Sequence, residues 1–467
     1  MRLGVLPVVR PTFDVVAAHD VIARARAVLD GHELFGSAAP ATSDEQVHRA
    51  AELLATGPDL DAVVVLQGTF TTSVGAALAA RAGRPVVLWS FPEPPREPVD
   101  EQPPDRRLRL NSLCGATLAS YTLHRLGADV RWVHGDPDDH AVRARLERAL
   151  TTPDERRDPE RSPRVALPDA AVAAGRHAAE LLRDARIGRL GDAPDGFEPC
   201  EYDAGVVTEH TGVVVEQLPL DALFAAADAA PQPVVVGGHQ THGLDDLEPH
   251  GVERSARLLA GMRELVVTHG WSAVTTRCWP ECMADYGGAV CWPSAVLADA
   301  GIPAGCEADV LGTITNLALQ ELGERPPFLA DLVAVDPAAD TGTLWHCGVA
   351  AASLARPDAP VRLAGHPNRG TPVVHDFGLA PGEITVARLS ARPSGHLALV
   401  IGRGEILDDD ADLHGTSAVV RFGRPAAAVL DRVLGDGLDH HLSVAYGDLA
   451  DELEALAAEW HVDVIDL

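Results

Sequence analysis

Through the first 150 residues, short apolar runs alternate with amphipathic stretches. "RLGVLPVV", "DAVVVLQG", "RPVVLWSF" and "ADVRWVHG" carry the near-continuous hydrophobicity of strands buried on both faces. Between them, "TSVGAALAARAG" and "NSLCGATLASYTLHRLG" have helical spacing. This βαβ series predicts an open, doubly wound sheet over residues 1–150. The polar, charge-dense "TTPDERRDPERSPR" that follows reads as a linker or exposed crossover.

A second α/β region is predicted over 165–335. "AAVAAGRHAAELLRD" and "VERSARLLAGMRELVVTHG" read as helices, and "PVVVGGH" and "SAVTTRCWP" as strands. After about residue 340 the period changes. "TLWHCGVA", "TPVVHDFG", "GEITVARLSA", "GHLALVIGRGEI" and "TSAVVRFG" are strand-length pieces punctuated by Gly, Pro and Asp. With no long helix between them, 336–467 predicts an antiparallel barrel or sandwich ending in a strand–helix–strand. The expected fold class is therefore α/β: two Rossmann-like doubly wound domains, then a C-terminal antiparallel β-barrel-like domain.

Composition narrows the chemistry. At 467 residues the chain can bury large cores in roughly two or three domains. Its net charge of −30 leaves no basic surface to replace counterions on a phosphate backbone, which argues against nucleic-acid partners. No apolar run approaches a membrane span, "MRLGVLPVV" lacks the shape of a signal peptide, and the seven cysteines are odd in number. Together these features predict a cytoplasmic protein with reduced thiols and no membrane partner. Lysine is absent throughout. Schiff-base aldolases, pyridoxal-phosphate enzymes and Walker-A loops all need one, so carbonyl or proton chemistry here must use a metal, carboxylates, histidines or thiols.

The candidate residues lie in the second half. "GIPAGCEADVLG" places Glu307 and Asp309 in a stretch that otherwise reads as interior, where a carboxylate needs a partner. Helical spacing from Cys306 puts Glu307 near a helix N-terminus, where an acid can simply cap the dipole. "LADLVAVD" sets Asp331 in or beside the next strand, so the two acids can converge on a hard cation such as Mn²⁺ or Mg²⁺. Histidines in "WHCG", "GHPNRG", "VVHDFG" and "DHHLSVAYGD" sit at element edges; of the adjacent pair His440–His441, only one need point inward. The cysteines of "RCWPECMADYGGAVCWP" match no zinc spacing and read as buried thiols. Glycines in "LQGTFTTSVG" and "VVVGGHQTHG" match no GxGxxG fingerprint and read as turns at the rim of a cleft.

Over most of its length the chain resembles the L-fucose isomerase / L-arabinose isomerase superfamily. "NSLCGATLASYTLHRLGADVRWVHGD", "CWPECMADYGGAVCWPSAVLADAGIPAGCEADVLGTIT", "FLADLV" and "HHLSVAYGDLADELEALA" carry the resemblance. It implies an aldose–ketose isomerase that works through an enediolate and holds Mn²⁺ (Mg²⁺ or Co²⁺ suit the same ligands) with Glu307, Asp331 and His441. His441 takes that role over His440 because it stands five residues before Tyr446, as the family's histidine stands before its tyrosine. The resemblance also makes Glu307 and Asp331 the acid/base pair. It leaves His346, His440 and Trp279 as candidates for supporting or substrate contacts, implies a homo-oligomer (trimer or hexamer), and does not name the sugar. The chain is shorter than typical L-fucose isomerases. The alternatives are a metal-dependent epimerase, dehydratase or aldolase on a related sugar, and a non-catalytic sugar-binding protein.

Overall fold

A computed structural model describes residues 1–95, 105–153, 160–230, 236 and 241–467. The run "PVVVGGH", expected to be a strand, lies mostly outside them.

The first sheet has five parallel strands: β1 (Arg2–Val8), β2 (Glu33–Gly36), β3 (Ala62–Gln67), β4 (Val86–Ser90) and β5 (Val130–His134), in the order β2-β1-β3-β4-β5. The runs "AVVVLQ" and "VVLWS" are buried throughout, as strands covered by helices on both faces must be. The second sheet is a parallel set of four: β6 (Arg186–Leu190), β7 (Val214–Leu218), β8 (Ala273–Thr276) and β9 (Ala304–Cys306), in the order β9-β8-β6-β7.

The third unit is a closed barrel of six antiparallel strands. β10 (Phe328–Asp336), β11 (Thr341–His346), β12 (Gly382–Ala391), β13 (Leu397–Ile406), β14 (Thr416–Phe422) and β15 (His441–Tyr446) run in the order β13-β12-β15-β10-β11-β14. Pairing of β13 with β14, through Gly404↔Phe422 and Ile406↔Val420, closes the ring. Closure removes the open edges that such long strands would otherwise expose.

Two helices join the barrel to the sheets. α1 (Ser112–Arg125) is buried from Ser112 to Leu123, and its Leu113, Ala116 and Ala119 share one core with Phe328, Ala330 and Leu332 of β10. α2 (Val310–Leu322) is buried along its first ten residues between Ile187 and Ala273 of the second sheet and Leu389, Leu399 and Ala445 of the barrel. A helix apolar all round belongs in such an interior position. Among the described residues, no helix is long and apolar enough to cross a membrane.

One histidine in the first sheet makes a stability prediction. His134 ends β5 with Nδ1 2.9 Å from Ser90 Oγ, and burial, aided by nearby Arg145, pushes its pKa down to about 4. In the unfolded chain a histidine takes its proton near the ordinary 6.5. Between those values the unfolded state binds more protons, so stability falls as pH drops through that window. Urea midpoints at pH 7 and pH 5 should show wild type losing about 1–2 kcal/mol more than His134→Gln. Equal losses would remove His134 from the acid limb.

Candidate active site

Glu307 and Trp279 leave the C-terminal ends of adjacent parallel strands, since Thr276 of β8 pairs with Cys306 of β9. Open α/β sheets bind ligands at this end. Helical spacing places Glu307 in a helix, but the structure places it in a turn: Glu307 (φ 62°) and Ala308 (φ 56°) are both left-handed. The helix begins only after Asp309, which caps α2 by accepting from the Gly312 N–H at 3.0 Å. Capping therefore falls to Asp309, and the carboxylate of Glu307 is free for other work. Consecutive left-handed residues other than glycine cost of order 1–3 kcal/mol each and persist only where the surroundings hold them. Here the Ala308 N–H donates to Thr276 O at 3.0 Å, and Arg189 Nε donates to Ala308 O at 3.1 Å.

The turn aims Glu307 at a buried pocket wall. Oε1 accepts the Trp279 indole N–H at 3.0 Å; Oε2 lies 3.1 Å from His440 Nε2 and 3.6 Å from His441 Nε2. The two adjacent histidines do not diverge as strand geometry predicts. His440 stands just before β15 and His441 is its first residue, so their rings stack at 4.0 Å and both turn to Glu307. Phe197 closes the wall edge-on to Trp279 and His440, at 5.2 and 5.6 Å.

Electrostatics follow from this packing. Burial alone would raise the Glu307 pKa, but the hydrogen bond from His440, the charge of the two imidazoles and the indole N–H outweigh it, so the group stays ionised below its ordinary value. Burial works against the His440 imidazolium, yet Glu307 holds its pKa above the usual value. His441 moves the other way: burial and the neighbouring His440 lower it. Its Nδ1 lies 2.9 Å from Asp309 Oδ2, which favours the tautomer with a free lone pair on Nε2.

Behind His441 runs a fully buried charge relay. Arg388 donates to Asp309 Oδ2 at 2.5 Å and to Asp439 Oδ1 at 2.8 Å, and Ser390 Oγ donates to the other Asp439 oxygen. Arg388 and Asp309 have no exposure and Asp439 has 1%. Asp309, Arg388 and Asp439 go unnoticed in a search for ligands. Their signal is the lone arginine in the apolar run "ITVARLSA", because a guanidinium among Val, Leu and Ala demands buried counter-ions.

Asp331 lies on β10 as the direct cross-strand neighbour of His441, so the two side chains share one face of the ladder. It is buried, and its Oδ1 has no hydrogen-bond partner among the described residues. Cys114 of α1 sits against it; burial first, and then Asp331 and Glu307, push that thiol well up. His346 ends β11 with its ring 5.5 Å from that of His441, and its Nδ1 accepts the Cys347 N–H at 2.9 Å. Glu307, His440 and His441, with Cys200, place ligand atoms within 4.8 Å of one another; Asp331 stands beside that set rather than within it.

A metal fits these residues on two observations. An orphaned, buried carboxylate oxygen of Asp331 lies beside His441, and two carboxylates plus a neutral imidazole form the donor set preferred by Mn²⁺ or Mg²⁺. All seven cysteines are buried free thiols.

Comparison with known proteins agrees with this architecture. Residues 346–467 match the model of the L-fucose isomerase C-terminal domain. A protein of Clostridium sp. (strain MSTE9) named sulfoquinovose isomerase is 31% identical over 403 residues, which cover 85% of this chain and 83% of that one. Another of the same name, from Priestia megaterium, is 28% identical over 461 residues and covers 96% and 95% of the two chains. A third, from Alkalicoccus urumqiensis, is 27% identical over 433 residues, covering 89% and 90%. With a match of that length and identity, and a C-terminal domain of the L-fucose isomerase type, the chain belongs to the fucose isomerase-like family of aldose–ketose isomerases.

Proposed function

We propose that the protein isomerises sulfoquinovose, a hexose carrying a sulfonate on C6, to its ketose, in a metal-dependent reaction that passes through an enediolate. The observation that carries the proposal is the setting of Glu307: a partly buried, ionised carboxylate with one oxygen fixed by an indole N–H and the other facing two imidazoles. The relatives' shared name supplies the sugar.

Glu307, Asp331 and His441 would hold the cation. When bound, Mn²⁺ (or Mg²⁺ or Co²⁺) supplies Lewis-acid stabilisation of the charge that develops on the substrate's oxygens. Carbonyl migration needs a carbon-bound proton removed at one carbon and returned at its neighbour. Glu307 is ionised and half-fixed by Trp279, so its second oxygen is the one presented to the substrate. Asp331, with its unpartnered oxygen beside His441, handles the hydroxyl proton as the second acid/base group. His440, whose pKa is raised by Glu307, adds positive charge beside the developing anion. A cytoplasmic homo-oligomer completes the proposal.

Chelator-stripped protein should lose more than about 100-fold in turnover of sulfoquinovose and regain it with Mn²⁺. In D₂O the product should take up deuterium at the reacting carbon with no cleavage and no loss of water. Full activity after stripping would end the metal reading, and loss of water would end the isomerase one.

A further inference from the structure

We propose that Arg10 and Arg369 form an anion clamp over Trp279, which grips the charged substituent of the sugar and makes the enzyme selective for anionic over neutral hexoses. The inference rests on the sulfonated-sugar reading above and adds the residues that would enforce it.

Both guanidiniums lie over the Trp279 ring, at 4.2 Å for Arg10 and 5.2 Å for Arg369. The same indole donates its N–H to Glu307, so one side chain links the cationic pair to the reacting carboxylate. All three residues line a cavity of about 590 Å³, within the range of small-molecule sites. Its walls come from the segments after β1 and β3, around Arg10 and Thr71, and after β8, around Arg277 and Trp279. In the order β2-β1-β3-β4-β5, the gap between β1 and β3 is where the winding reverses, and such switch points are where open sheets bind ligands.

Among the described residues, neither guanidinium donates a hydrogen bond or forms an ion pair; Arg10 bonds only through its backbone, whose N–H donates to Thr69 Oγ1 at 2.7 Å and whose carbonyl accepts from the Phe13 N–H at 3.1 Å. This is unexpected in a chain with 68 acidic residues against 38 basic ones, where an arginine readily finds a carboxylate. Arg277, in the same wall, is already engaged by Glu281 at 2.8 Å. Asp44 and Asp195 sit exposed at the rim and pair with neither. Burial, and then the charge of Arg369, pull the Arg10 pKa down to about 10 despite Glu307 and Asp44. Two like charges held together by the fold are relieved by an anion between them. A sulfonate presents three acceptor oxygens to two donor forks. With that group held, the far end of an open-chain hexose lies along the indole toward Glu307.

The test compares sulfoquinovose with 6-deoxyglucose, the same skeleton without the charge. The proteins are wild type, Arg10→Gln, Arg369→Gln and, as a control on an exposed helix, Arg148→Gln. Binding of methanesulfonate by calorimetry is the second readout. Each clamp variant should lower kcat/KM for sulfoquinovose by about 10- to 100-fold, chiefly through KM, and weaken methanesulfonate about tenfold or more. Arg148→Gln should change neither, and thermal midpoints should agree across the set. Equal losses on both sugars, or unchanged methanesulfonate binding, would overturn the clamp. If wild type ignores sulfoquinovose but binds methanesulfonate through Arg10 and Arg369, the substrate reading fails and the clamp stands. If wild type turns over sulfoquinovose and the variants do so equally well, the clamp fails and the substrate reading stands.

Discussion

Glu307→Gln should reduce kcat by about 10³-fold while leaving the thermal midpoint within a few degrees of wild type. The amide is nearly isosteric, and its carbonyl can still accept the Trp279 indole N–H, so the left-handed turn keeps its brace. What disappears is a negative charge with proton affinity at the oxygen facing His440 and His441. The residue is both the proposed base and a proposed metal ligand, so metal content should be measured beside turnover. Loss of turnover with metal retained assigns the defect to proton transfer; loss of both assigns it to coordination. Normal turnover would remove Glu307 from the mechanism altogether.

Arg388→Met should be the most destabilising single change in the vicinity of the site, costing about 3–5 kcal/mol. The guanidinium is fully buried between two fully buried carboxylates, and removing it strands both Asp309 and Asp439. Burial pushes the Asp309 pKa up, but Arg388 and then His441 pull it far below the usual carboxylate range, so the acid is charged at neutral pH. Without Arg388 the two acids must take up protons or open to water, and either response carries the cost. Urea unfolding at pH 7 reads the loss directly. A shift under about 1 kcal/mol would show that the relay is not held together by charge. Because a typical domain has only about 5–15 kcal/mol in total, the variant should also be more sensitive to heat.

Residue patterns reveal the molecule unevenly. Buried parallel strands are legible because "DAVVVLQG" and "RPVVLWSF" offer water no polar side chains on either face along their apolar runs, and the two runs pair side by side. The barrel is legible as a change of period, though not its closure. The ring also needs β15 to pair with β10, Phe328 against Val444, and no local signal in "FLADLV" or "HLSVAY" announces a partner that remote in the chain. At the site, three segments remote in the chain are expected to meet. The structure brings Glu307 to His440 and His441 and sets Asp331 across the ladder from His441. Local periodicity misplaces Glu307, since "EADVLG" satisfies helical spacing from either acid and only backbone hydrogen bonding shows where the helix begins. The partner of His441 stays hidden for a related reason. Asp309, two residues from Glu307, looks like one more acid until the fold brings Arg388 to it from 79 positions away.

The closed ring of β-strands has a mechanical consequence. Asp331 and His441 face each other on paired strands of a ring that has no free edge, so the separation of their backbones is set by strand pairing and resists breathing. Glu307 hangs from a short strained loop on a separate layer. Any widening or narrowing of the gap must therefore come from that one side, as in a vice with a fixed jaw and a moving one.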